Sequence, residues 1–203
     1  RTNKPIRLAN STLLMGRDRE EVSEAFPGDV VGLFDPGVFG IGDTLNDKGD
    51  FNYPGIPSFS PECFARVEVA AVGKRKSLEK GIDQLVQEGA VQLFREPGGG
   101  SATLILGAIG QLQFDVFQHR LASEYGVEPG LSPLDYKLAR WPQADFDTEI
   151  FRFSERVRVY EDREGRAVLL AKSEWDLKRV EEKHPELKLA ETADPLRLAT
   201  SGA

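Results

Sequence analysis

Between Tyr53 and Pro61 the chain runs Tyr53-Pro54-Gly55-Ile56-Pro57-Ser58-Phe59-Ser60-Pro61, with three prolines and a glycine in nine residues. Proline fixes φ and removes a backbone donor, so neither a helix nor a central strand continues through such a run. An extended connector is expected there, with a domain boundary near residue 56. The two sides of it have different textures. Residues 1–56 show little helical periodicity: Ile6 and Leu8, then Leu13, Met15, Val22, Val30, Val31, Leu33 and Leu45 supply apolar positions for short strands. Turn chemistry punctuates them at Gly16-Arg17-Asp18-Arg19, Pro27-Gly28-Asp29, Asp35-Pro36-Gly37 and Asn46-Asp47-Lys48-Gly49. That is the pattern of a small β-barrel. Closing the barrel would take further strands ahead of Arg1, and without them one sheet edge would be unprotected.

Past the connector, residues 57–190 alternate strands with amphipathic helices. A strand is expected over Phe64–Ala71, then a helix capped by Ser77 that places Leu78, Ile82, Leu85 and Val86 on one face and ends at Gly89. Strands Val91–Arg95 and Thr103–Ala108 flank a Pro97-Gly98-Gly99-Gly100 tip, and a second helix follows from Gln111 to Glu124, closed by Gly126. Its Phe114, Phe117, Leu121 and Tyr125 form one row with Leu112 and Val116 nearly opposite, so a helix covered on both sides is expected. After a strand at Val127–Leu131 the order recurs. Strand Tyr136–Trp141 leads to a helix at Asp145–Phe153 with Phe146, Ile150 and Phe153 aligned. Strands Arg156–Tyr160 and Ala167–Ala171 turn at Glu164-Gly165, and Ser173-Glu174-Trp175-Asp176 opens a last helix by a capping box. Leu187–Ala190 completes the series as a strand. Two βαββαβ units, about 64–133 and 136–190, therefore give an α+β domain of ferredoxin-like elements behind an all-β one. Residues 191–203 read as a flexible tail.

Composition narrows the function classes. A single cysteine, Cys63, permits no internal disulfide, and with only two histidines a Cys/His metal site lacks ligands, as expected of a cytoplasmic protein without a metal. The net charge of −7 argues against general coating of nucleic acid. No apolar run reaches the roughly 18 residues that suggest a membrane span, and the Arg1-Thr2-Asn3-Lys4 start, without Met or an apolar signal core, reads as that of a fragment. One local basic run stands out, Lys74-Arg75-Lys76 with Lys80 one turn later; it reads either as a solvated helix start or as a set of phosphate contacts.

Catalytic signatures are missing. A P-loop needs a glycine-rich turn ending in Lys and Ser/Thr; here Gly73-Lys74 is followed by Arg75, and Glu68 stands where the first glycine would be. The Asp-x-x-Gly matches at Asp29–Gly32 and Asp162–Gly165 read as turns, and the glycine triplet at 98–100 as a hairpin tip, since it opens no helix. His119 has no acid partner in sequence and reads as an exposed helix residue. Tyr53, Trp141 and Trp175 stand in apolar surroundings and are expected to pack in a core or interface rather than to stack on bases.

Several segments resemble translational GTPases. Glu20-Glu21-Val22, then Ala25-Phe26-Pro27-Gly28-Asp29-Val30-Val31-Gly32-Leu33 and Ile41-Gly42-Asp43-Thr44-Leu45, look like their second, β-barrel domain. Physically, Gly28 and Gly42 allow sharp turns, and the aspartates after them can bond backbone groups within the turn. The connector through Glu62, Gly89–Arg95, Gly107–Val116, Arg120-Leu121, Ser123–Glu128 and Ala139-Arg140-Trp141 are more similar to class II peptide chain release factors than to elongation factor G. Elongation factor G has Gly-Glu-Leu-His where this chain has Gly110-Gln111-Leu112-Gln113.

The resemblance implies a truncated translation-factor β-barrel followed by the family's C-terminal domain, from a parent protein whose GTPase domain, with GTP or GDP and magnesium, precedes these segments. The family's activity is GTP-dependent removal of class I release factors from the ribosome. This chain, which holds no cofactor site, would not hydrolyse GTP; it would dock on small-subunit rRNA and proteins and couple to the parent's GTPase domain. Arg17 and Arg19 at a barrel turn and Lys74, Arg75, Lys76 and Lys80 at the helix start are the expected ribosome contacts. The tail of an elongation-factor-G-like or ribosome-rescue GTPase, and a stand-alone ribosome-binding module, are the alternatives.

Overall fold

A computed structural model of the chain describes residues 12–15, 18–21, 24–34, 39–47, 51, 53, 59–68, 72–98 and 103–193. The turns expected around residues 16–17 and 35–37, most of the connector, the tip at Gly99-Gly100 and the end of the tail lie outside them. The chain divides into two compact units, Arg1–Gly55 and Ile56–Ala203.

The first unit contains β1 (Thr12–Met15), β2 (Asp18–Glu21) and β3 (Val31–Gly32), antiparallel in the order β2-β1-β3. Asp18 and Arg19, expected in a turn, instead begin β2 and pair with Met15 and Leu14. Two turns in this unit repeat one device. The Asp29 amide donates to the Phe26 carbonyl at 3.0 Å while its carboxylate accepts the Phe26 amide at 2.7 Å. Asp43 does the same with Gly40, at 3.0 and 2.7 Å. Between them Gly28 and Gly42 have φ of 102° and 83°, conformations that a side chain would strain.

In the second unit β4 (Cys63–Glu68), α1 (Arg75–Gln87), β5 (Gln92–Arg95), β6 (Leu104–Ala108), α2 (Gln111–Tyr125) and β7 (Gly130–Leu134) make the first βαββαβ set. β8 (Leu138–Arg140), β9 (Val157–Glu161), β10 (Ala167–Ala171) and α3 (Glu174–Lys183) repeat it in part, with a 3-10 turn in place of the first helix and one bridge in place of the last strand. All seven strands join one antiparallel sheet, β7-β4-β6-β5-β9-β10-β8, and the isolated bridge from Trp141 to Ala190 extends it past β8. Numbered within each set, that order is palindromic: fourth, first, third, second, then second, third, first and a one-residue fourth. The halves meet through a single ladder pair, Arg95 with Glu161.

Strand alternation sorts the side chains into three cores. Ala65, Val67, Leu93, Leu106 and Ala108 face α1 and α2, whose Leu78, Ile82, Leu85, Phe114, Phe117 and Leu121 are buried against them. Val157, Leu169 and Ala171 face Leu177 and Val180 of α3. The remaining strand faces, with Phe64, Phe94 and Ile105 from one half and Tyr136, Trp141, Tyr160, Val168 and Leu170 from the other, bury each other. The sheet is thus folded over an aromatic centre with the helices outside. Ser60 Oγ donates to the Ala139 carbonyl at 3.1 Å, so the chain entering β4 is also tied to β8 of the other half. Gly107 leaves room for this packing, since a Cβ there would fall 2.7 Å from the Phe94 ring and 2.9 Å from Pro61. Gly81 plays the same part in the first helical layer, where a Cβ would meet Leu121 at 2.5 Å.

Several expectations are corrected. α1 starts at Arg75, fed by a 3-10 turn at Val72–Lys74, so Ser77 lies in its first turn instead of capping it. The Asp145–Phe153 helix shrinks to a 3-10 turn at Thr148–Phe151: the Asp147 carboxylate takes the Glu149 amide at one end and the Ser154 hydroxyl takes the Val157 amide at the other. Phe151 is then the buried aromatic, while Ile150 and Phe153 are exposed. The strand expected at Val127–Leu131 is displaced to β7. Leu187–Ala190 forms no strand, because Pro185 opens a 3-10 turn and Lys188 takes φ 46°, leaving the single bridge at Ala190. Tyr53 and Trp175 are exposed; of the three singled-out aromatics only Trp141 is buried.

α3 carries a pH-sensitive staple. Ser173 caps it, and the buried Asp176 carboxylate accepts from Ser173 Oγ at 2.5 Å and from Arg156 Nε at 2.6 Å. Burial works to raise the Asp176 pKa, but these two hydrogen bonds together with the charges of Arg156 and Arg179 outweigh it and hold the carboxyl below its usual range. A depressed folded pKa adds stability that is complete above the unfolded value near ~4 and is lost as pH falls through the lower folded value. Arg156→Gln is expected to lower thermal stability at neutral pH and to leave it unchanged where Asp176 is protonated in both states. Melting curves from neutral pH to about pH 2 check this; equal destabilisation at every pH would show that Arg156 acts by packing alone.

Candidate functional site

The basic run lies where two helices meet at their ends. Lys74 precedes α1, and its Nζ donates to the Gly126 carbonyl at 2.6 Å, just past the end of α2. Gly126 is left-handed at φ 64° and, with Val127, returns amides to the Ala122 and Leu121 carbonyls. Arg75 Nε pairs with Glu79 at 2.9 Å, an exposed i,i+4 pair of small energetic weight. Lys76 and Lys80 lie one turn apart opposite the buried Leu78, Ile82 and Leu85; both are exposed, and neither has a carboxylate partner among the described residues. Of the six expected contacts, then, Lys74 and Arg75 are engaged internally while Lys76 and Lys80 present free ammonium groups. Arg19 belongs to β2 in the other unit, and Arg17 lies outside the described residues.

A polar clamp braces the same two helices further along. Arg120 on α2 donates to Glu88 at 2.5 Å and to both Glu124 oxygens at 2.6 and 3.0 Å, and Tyr125 donates to Gln84 at 2.7 Å. The hydrogen bond from Arg120 holds the Glu124 carboxyl below its usual pKa. The helix pair therefore presents its cations from a fixed frame. Both Asp-x-x-Gly matches form turns: Asp29 closes the first of the paired turns, and Asp162 organises the β9–β10 hairpin. Asp162 accepts from Trp141 Nε1 at 3.0 Å, from the Glu164 and Arg166 amides at 3.0 and 2.9 Å, and from Arg166 Nε at 2.8 Å. His119 is an exposed α2 residue. Among the described residues no cluster of His, Cys, Asp and Glu could hold a metal, and no helix is long and apolar enough to cross a membrane.

Two features escaped the sequence reading. The outer face of α2 is uncovered, with Leu112 and Val116 exposed beside Ile109, contrary to the expected double coverage. Phe117 and its neighbours satisfy the sheet, and no described element lies on the opposite side. On α3, Trp175 is 57% exposed with the Arg179 guanidinium 4.7 Å over its ring. The signal for this pair was present: residues 175 and 179 are four apart, off the face of Leu177 and Val180.

Comparison with known proteins places this geometry. The family model described as class II release factor RF3, C-terminal domain, matches residues 53–181. The chain belongs to that family. Residues 1–48 match elongation factor G domain 2, in keeping with a translation-factor barrel ahead of the α+β unit. Over 194 residues, 95% of this chain, it is 45% identical to peptide chain release factor 3 of Symbiobacterium thermophilum, covering 37% of that protein. The protein of the same name from Gloeothece citriformis is 45% identical over 195 residues, with 95% of this chain and 36% of that one covered. That from Microcystis aeruginosa is 46% identical over 194, covering 93% and 35%. The chain thus spans little more than a third of the length of these relatives. The glutamine-bearing Gly110–Gln113 segment, read as favouring the release factors over elongation factor G, lies inside the release-factor match.

Proposed function

We propose that this chain is the ribosome-docking and coupling portion of a cytoplasmic translation termination factor. The observation that carries it is the ordered match of both units, barrel then α+β domain, at about 45% identity along nearly the whole chain to release factor 3 relatives. In the parent protein a GTPase domain, with GTP or GDP and magnesium, would act beside these units, and the cycle would drive class I release factors off the ribosome. The chain's own part is to bind chiefly small-subunit RNA and protein and to shift as packed bodies with the nucleotide state. Lys76 and Lys80, held out from α1, would meet phosphate oxygens.

Lys76→Glu with Lys80→Glu is expected to weaken sedimentation with ribosomes and, by removing two phosphate contacts, to flatten the log affinity against log salt plot by about 2 units. Far-UV circular dichroism should not change, since both side chains are exposed. Identical binding at every salt concentration would remove the two lysines from the contact surface.

A further inference from the structure

One row of apolar side chains on α2 is left bare although the helix itself is firmly packed. Leu112 is 73% exposed and Val116 47%, one turn apart on the side of α2 away from Phe114, Phe117 and Leu121. Ile109, also 47% exposed, extends the row: its amide donates to the Gln113 side chain at 2.7 Å, which holds it against the first turn of α2. The helix beneath is fixed, since those three inner residues are buried in the first core and Arg120 ties it to Glu88. The row is also nearly free of charge. Residues 109–125 hold three acidic or basic side chains, Asp115, Arg120 and Glu124, and the last two pair with each other.

We infer that this row seats the GTPase-bearing part of the parent polypeptide, an inference that rests on the proposed reading of the chain as one portion of a longer factor. Charge and size select that occupant. RNA is disfavoured because α2 carries no lysine and its one arginine is engaged with Glu88 and Glu124, so a phosphate would meet no free cation on the helix. A free-standing partner is disfavoured by area: three partly exposed aliphatic side chains offer on the order of a few hundred Å², against the roughly 800 Å² per partner of a stable interface. A second copy would in addition bring together two chains of net charge −7. A tethered partner escapes the area limit, since linkage holds it at an effective concentration near ~1 mM and removes much of the cost of association. The polypeptide for such a tether exists in the relatives, of which this chain covers little more than a third.

The test labels a thiol placed in the row. Leu112→Cys is made in this chain and in the full-length parent factor, and its alkylation by N-ethylmaleimide is followed by peptide mass spectrometry, which separates it from Cys63. Alkylation at least about tenfold slower in the parent than in this chain is expected, because the tethered domain covers the site for most of the time. Adding Val116→Asn should return the parent's rate toward that of this chain, while far-UV circular dichroism of this chain stays unchanged because both side chains are exposed. Equal rates in the two proteins, or slow alkylation already in this chain, would overturn the assignment. So would protection in the parent that sets in only when ribosomes are added. The failure of this assignment and that of the proposed function are distinct. Equal rates, with a chain that still sediments with ribosomes, would cost this surface alone; protection in the parent, with no sedimentation of the chain, would keep this surface and remove the docking role.

Discussion

Truncating Phe94 to alanine is expected to remove about 3–5 kcal/mol from the stability of the second unit, a large share of the ~5–15 kcal/mol typical of a whole domain. Phe94 is fully buried on β5, beside the one ladder pair that joins the two halves of the sheet. Its ring stands 6.0 Å from that of Phe64 and 6.4 Å from that of Trp141, so it touches aromatics of both halves. Gly107 lies against the ring and has no side chain to fill the space. The transfer term and the cavity term therefore add. Guanidinium unfolding followed by far-UV circular dichroism measures the loss, and Phe94→Leu should recover part of it. A loss under about 1 kcal/mol would mean that the halves collapse onto the vacancy and that their packing is loose.

The second large effect is expected at Asp162, through polar chemistry. One nearly buried carboxylate accepts from an indole, two backbone amides and a guanidinium. Alanine would strand the Trp141 indole N–H in the aromatic centre and free the β9–β10 turn. Arg166, 39% exposed, would recover water and limit the cost. About 3 kcal/mol is expected, near 6–12 °C in melting temperature for a unit of this size. Trp141→Phe alone should cost about 1 kcal/mol from the lost hydrogen bond, before any packing change. If the two substitutions proved additive in the double variant, the indole bond would carry none of the Asp162 effect.

The legible parts of this fold were those in which one local signal decides the outcome. The Phe114–Phe117–Leu121 row, the Gly126 stop, the Ser173 cap and the paired Gly-Asp turns rest on interactions within a few residues, and each formed as read. The recurrence of strand order was legible in part, since the second set formed its first three strands and last helix but not its first helix or last strand. The joining of both sets into one folded sheet was not, because a single Arg95–Glu161 pair and a shared aromatic centre leave no periodic trace. The Asp145–Phe153 segment misled because helical spacing of Phe146, Ile150 and Phe153 ignores the side chains of Asp147 and Ser154, which pinch it to one turn. In the candidate site the basic run was visible from charge alone. Which cations stay free was not, since the Lys74 partner, Gly126, is 52 residues away. Of the two places expected for Trp175, core or interface, its exposure excludes the core: apolar neighbours in sequence do not say which helix face they occupy.

The bond from Ser60 to the Ala139 carbonyl bears on how the two halves of the second unit are held together. Without it the two halves would be joined by the Arg95–Glu161 pair and the shared aromatic centre alone. Ser60 adds a third link, to β8, three residues before the chain becomes β4. The start of β4 is therefore fastened to β8 as well as packed into the shared aromatic centre, so the two halves are held together at the point where the chain enters the sheet.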